Sequence, residues 1–306
     1  MLQQLIQQLR KFVTAYPPTY WVVMLLFCAL SVYVNYFMGL KQWMKPLNDG
    51  KEFLAYFALY AVHTLWGFVW YSVFFKEYAF WKKLNFWLLL LAGLGIFAFR
   101  VSFDEHYHWI ASMASAENVW VYQSIFKHFF KQLYIMVPIF LLWLIADSGN
   151  QPFYGFSSKQ HKAKLYWGLL LAMVPLVAYA STQADFLDFY PRASKISQAG
   201  VSTSMLLLFE FFYGLDFISI ELFFRGFLIM AFTRFVGIHA VLPMACFYLS
   251  IHYGKPMGEA ISSFFGGTIL GVIAYHSKSI YGGIMVHMGI AWLMELGGFI
   301  GNYFKQ

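Results

Sequence analysis

Among the ionisable side chains in the apolar C-terminal third of the chain are Glu210, Asp216, Glu221, Arg225, His252, Glu259, His287 and Glu295. A charge at membrane depth costs several kcal/mol and is kept where it faces a cavity or a partner. Carboxylates and imidazoles are also the groups that move protons in hydrolysis. Glu221 and Arg225 are four residues apart, a spacing that lets a carboxylate and a guanidinium meet on one helical face. Such pairing keeps the carboxylate ionised despite desolvation. Glu210 and Gly214 extend the same stripe. A buried ion pair that only joins helices explains these two residues equally well. His252 ends an apolar run and precedes Tyr253-Gly254-Lys255-Pro256, where a helix must break. There it could act as a general base or ligand, or simply meet water at the interface. His287 lies mid-run, with Ala291 and Glu295 on its face, and a helix–helix hydrogen bond would account for it taken alone. Glu259 opens a helix, where its charge suits the dipole.

The elements that must carry these groups are membrane helices. Of 306 residues, 60% are hydrophobic and 11% charged, against about 45–50% and about 25% in soluble domains. Runs of about 20 apolar residues span a bilayer as helices, which satisfy their own backbone. Candidate spans are 20–40, 53–75, 86–99, 132–146, 165–180, 201–224, 227–238, 240–253, 259–275 and 280–300, with 227–238 continuing the helix before it. The expected fold is an all-α polytopic transmembrane bundle of about 8–10 helices with a polar cavity in its C-terminal part. The organisation expected is an N-terminal amphipathic segment (1–19), an N-terminal transmembrane bundle (20–184), a polar loop (185–200) and a C-terminal core (201–306). Arg10 and Lys11 before a long apolar run read as a retained signal anchor.

The net charge of +7 comes from Lys and Arg scattered through short loops, a topology signal rather than a nucleic-acid groove. An inside N-terminus places Lys76, Lys82, Lys83, Lys159, Lys162 and Lys164 in the cytoplasm, but leaves Lys41, Lys45 and Lys51 outside. Cys28 and Cys246 read as small buried hydrophobes. His106 and His108 read as part of a solvated loop.

Three motifs order themselves along the C-terminal third. Ile220-Glu221-Leu222-Phe223-Phe224-Arg225-Gly226 resembles the EExxxRG motif of the CAAX-protease and bacteriocin-processing family of intramembrane endopeptidases. Tyr248-Leu249-Ser250-Ile251-His252 resembles its FxxxH motif, with Tyr for Phe. The segment from Ser279 to His287 resembles the approach to its last motif, HxxxN or HxxxB. The resemblance implies peptide-bond hydrolysis by a water that a Glu and a His activate, with the second His and an Asn stabilising the oxyanion. Two positions depart from the pattern. Ile220 replaces the first Glu, the main water-activating carboxylate of the family, and Ala291 replaces the Asn.

The expected function is therefore an intramembrane endopeptidase acting on a membrane-associated peptide or protein. Glu221 and His252 would hold the water, Asp216 would substitute for the missing carboxylate, and His287 and Arg225 would complete the site. The sequence points to no particular cofactor, and a metal-dependent variant stays open, since Glu221, His252 and His287 could together ligate a divalent metal such as zinc. The alternatives are an inactive relative serving as a scaffold, immunity factor or regulator, and an ion-coupled transporter. Membrane lipids are the expected surroundings, in a bacterial plasma (inner) membrane, with no nucleic-acid partner.

Overall fold

The computed structural model describes residues 2–114, 119–157, 163–194, 196 and 200–305. Lys159 and Lys162, counted above among the loop charges, lie outside them. The described residues form helices and turns, with no strand among them. In chain order the helices are α1 (Leu2–Thr14), α2 (Pro18–Tyr36), α3 (Leu40–Met44), α4 (Asp49–Phe75), α5 (Leu84–Ser102), α6 (Glu105–Met113) and α7 (Val119–Ala146). There follow α8 (Ala163–Ala180), α9 (Ala184–Phe189), α10 (Thr203–Glu221), a π-helical segment (Leu222–Ala231) and α11 (Thr233–Val236). The chain closes with α12 (Val241–Ile251), α13 (Met257–Ser277) and α14 (Tyr281–Lys305).

Eight stretches of described helix are long and apolar enough to cross a membrane. The protein is an integral, multi-pass membrane protein. Exposed Leu26, Leu30, Leu88, Ile145 and Leu171 give it the apolar exterior that lipid requires. The stretch Thr203–Ile251 counts as one by composition, yet it folds back on itself. Phe224 packs against both Phe247 and Tyr248, with ring centroids 5.3 and 4.9 Å apart. The reversal falls between Phe232 and Ala240, where Gly237 takes a φ of +59°. The expected continuation of 201–224 through 227–238 therefore holds as far as Ala231.

α12 has 11 residues, which span only about 16 Å, roughly half of a bilayer core. The helix is thus shorter than a full span, and His252, which follows it, is buried inside the bundle. Tyr36, at the end of α2, donates its hydroxyl to the Lys255 carbonyl at 2.7 Å and so closes the segment after His252. Aromatic side chains fill the interior around α12: Tyr60, Phe97, Phe223 and Phe224 all pack on Phe247.

Two readings of the sequence need correction. The stretch with His106 and His108 is helix α6 rather than a solvated loop. His106 is fully buried and stacks on Tyr107, because α6 lies down against α7. The span expected at 132–146 begins much earlier, at Val119. Lys127 and Lys131 hid its first half, since they face an internal cavity rather than a loop.

Candidate active site

Glu221 is the last residue of α10, where the backbone widens into π turns, a feature common at functional sites. Its side chain is completely buried. Arg225 approaches it at 2.8 Å between Nη1 and Oε1 and is 1% exposed. The contact is short, but no guanidinium N–H is aimed at an acceptor. Charge attraction holds the pair, and so does the ring of Tyr248, whose centroid lies 4.3 Å from the guanidinium carbon.

Helix α14 brings His287 to the same carboxylate, with Nδ1 2.9 Å from Glu221 Oε1. Gly283, one turn earlier, allows the approach, because a Cβ there would collide with Glu221 Oε2. A carboxylate beside a guanidinium is ionised and can only accept, so Nδ1 carries the proton. In the neutral imidazole Nε2 is then an acceptor, and the Tyr248 hydroxyl donates to it at 3.1 Å. The result is a carboxylate–imidazole–hydroxyl chain: Glu221, His287, Tyr248.

His252 follows α12 directly. Its Nδ1 lies 2.8 Å from the Tyr248 carbonyl. A carbonyl only accepts, so Nδ1–H donates and Nε2 keeps its lone pair. His252, His287, Tyr248, Asp216 and Ile220 line one cavity of about 390 Å³. Glu221 and Arg225 stand behind its wall and do not line it.

The structure thus brings four of the five expected site residues into one connected group, Glu221, Arg225, His252 and His287. Asp216 reaches the same cavity but is committed elsewhere. Arg100 donates to both of its carboxylate oxygens, at 2.9 and 2.7 Å, and His128 Nδ1 stands at 3.3 Å. Ser219 adds a hydroxyl at 3.2 Å. Nothing in this geometry supports Asp216 as a replacement water-activating carboxylate. At the position of the family's first Glu, Ile220 presents an apolar side chain to the cavity. Ala291 is buried in an apolar cluster with Phe209, Tyr213 and Phe217 and offers no donor.

The remaining carboxylates do structural work. Glu295 accepts backbone N–H groups of Arg192 and Ala193 at 2.7 and 3.1 Å, tying the 190s loop to α14. Glu210 on α10 shares a hydrogen bond with it. Glu259 does more than favour a helix dipole: it pairs with Lys255 at 2.6 Å and accepts from Tyr190 at 3.0 Å. Among the described residues no three His, Cys, Asp or Glu side chains converge to hold a metal ion. Glu221 Oε1 and His287 Nδ1 face each other instead of a common centre, so Glu221, His252 and His287 do not fit a shared zinc.

Residues 202–293 match the model of a family described as Rce1-like, type II CAAX prenyl endopeptidase Rce1-like. Over that stretch the C-terminal core is similar to this family. The match covers α10 to α14 as far as Leu293, and therefore every residue of the Glu221–His287–Tyr248 chain and His252. It agrees with the family resemblance carried by the three motifs. No curated protein and no solved structure matches the chain.

Within the matched stretch, sequence reading missed the hydroxyl of Tyr248 and the need for Gly283. Tyr248 occupies the Phe position of the second motif, and that departure was the available signal. Arg100 and His128 also escaped notice, because they come from outside the matched region and meet Asp216 only through folding.

Proposed function

We propose that the protein hydrolyses a peptide bond in a membrane-associated peptide or protein bound at this cavity. The observation that carries the reading is the pair of imidazoles lining one cavity, His252 and His287, the second anchored by a buried carboxylate. In this reading His252 Nε2 takes a proton from water as the water oxygen bonds to the substrate carbonyl carbon. The Tyr248 hydroxyl, released from His287 Nε2, turns its single O–H to the developing oxyanion. The C–N bond then breaks, and His252 returns its proton to the leaving amine. Glu221 and Arg225 are positioning residues, since they act through His287 and Tyr248.

The test is incubation of the purified protein in lipid nanodiscs with a library of lipidated and apolar peptides, with products read by mass spectrometry. Cleavage that His252→Ala abolishes supports the proposal. Absence of cleavage, or cleavage unchanged in His252→Ala, overturns it.

Ile220 favours a second reading, in which the cavity binds its partner without cutting it. The family places its main carboxylate where this chain has an isoleucine facing the cavity. Under this reading Ile220→Glu confers hydrolysis that the wild-type protein lacks.

A further inference from the structure

The cavity is far more cationic than a peptide-binding site needs to be. Six cations line it: Lys41, Arg100, Lys127, Lys131, Arg192 and Lys255. Among the described residues Asp216 is the one lining carboxylate, so those residues give the wall a formal surplus of five positive charges, six less one, with histidines neutral. They converge from α3, α5, α7, the loop after α9 and the loop after α12, separate parts of the chain brought to one end of the bundle. Some of this charge is offset locally. Asp216 is engaged by Arg100, and Glu259, outside the wall, holds Lys255. Glu52 and Asp104 lie near Lys131 without lining the cavity.

The crowding leaves a chemical mark. Lys41, in the short helix α3 after the first span, is pushed down to about 8, first by burial and then by Lys255, Lys45, Lys131 and Arg192. Arg100 Nε is buried without a hydrogen-bond partner. Like charges held together in a partly desolvated space repel, and an anion with more than one charge relieves this best. Guanidinium and ammonium groups together suit phosphate oxygens. Phe97, Val101, Phe217 and Ile220 on the same walls add room for an apolar chain.

We propose that this cavity binds a phosphate- or diphosphate-bearing ligand, its anionic group held among Lys41, Lys131 and Arg192 beside the His252 wall. This goes beyond the hydrolytic reading and does not depend on it, because binding is measured without turnover. Such a group can come from an anionic lipid or from free diphosphate.

The experiment uses the full-length protein in zwitterionic detergent at low salt. Inorganic diphosphate and short-chain phosphatidic acid are titrated separately, with short-chain phosphatidylcholine as the neutral control, and Kd and Tm are recorded. Saturable binding of either anion, weakened at least tenfold in both Lys41→Gln and Arg192→Gln but not in Lys82→Gln, supports the site. Lys82 is a loop lysine that does not line the cavity. Tighter binding of phosphatidic acid identifies a lipid headgroup, and equal or tighter binding of diphosphate identifies a soluble ligand. Lys131→Gln is a third variant should one of the others fail to fold. Binding of neither anion, or binding that none of the cavity variants alters, overturns the proposal.

Discussion

Glu221 and His287, 66 residues apart in sequence, meet at 2.9 Å through Oε1 and Nδ1. The contact sets the imidazole's tautomer, so the nitrogen on the cavity side is the acceptor. A carboxylate that never touches the cavity thereby governs a group that does.

Glu221→Gln removes that control at nearly constant shape. An amide can present its N–H₂ or its carbonyl, so the tautomer of His287 is no longer dictated. Peptide cleavage is expected to fall by about 10²-fold or more, with substrate affinity little changed. Gly283→Ala should act in the same direction by displacing Glu221. Steady-state kinetics on protein that elutes like wild type is the check, and unchanged kcat in both variants removes Glu221 from the mechanism.

Arg225→Met strands the Glu221 charge away from water. Breaking one side of a buried pair costs about 3–5 kcal/mol, whereas removing both sides is close to neutral. Glu221→Leu combined with Arg225→Met should therefore be more stable than Arg225→Met alone. Thermal unfolding in detergent reads the difference, and strict additivity of the two losses contradicts the pairing.

Asp216→Asn separates a structural role from a chemical one. Arg100 loses its counter-charge, so Tm should drop, corresponding to a few kcal/mol, about 3. The folded fraction should retain cleavage within about threefold, since the carboxylate is already occupied. A loss of about 10²-fold in well-folded protein would make Asp216 the substitute carboxylate after all.

Lys41 gives a pH signature. Its value in the folded protein is about 8, against an ordinary 10.5. Between these values the unfolded chain binds more protons than the folded one, so stability rises with pH across the window and is flat below about 8. Lys41→Gln should lose that rise while keeping the rest of the profile. The check is Tm measured from pH 7 to pH 10 on both proteins.

How much of this was legible in the residues alone follows from the range of each interaction. The apolar runs and scarce charges determined a helical membrane bundle, because lipid admits few other backbones. The i,i+4 spacing determined the Glu221–Arg225 pair, and the Gly254-Lys255-Pro256 break determined that a helix must end near His252. These are local consequences of chain geometry.

Tertiary structure decided the rest. Only the packing of α14 on α10 shows that Glu221 serves His287 rather than His252, and only the packing of the bundle brings Arg100 of α5 and His128 of α7 to Asp216. The cationic cavity is assembled from five segments, none unusually basic for a membrane loop. Spacing along a helix reports which side chains share a face. It carries no information on which faces meet, since that depends on how bulky aromatics and small glycines such as Gly283 let whole helices approach.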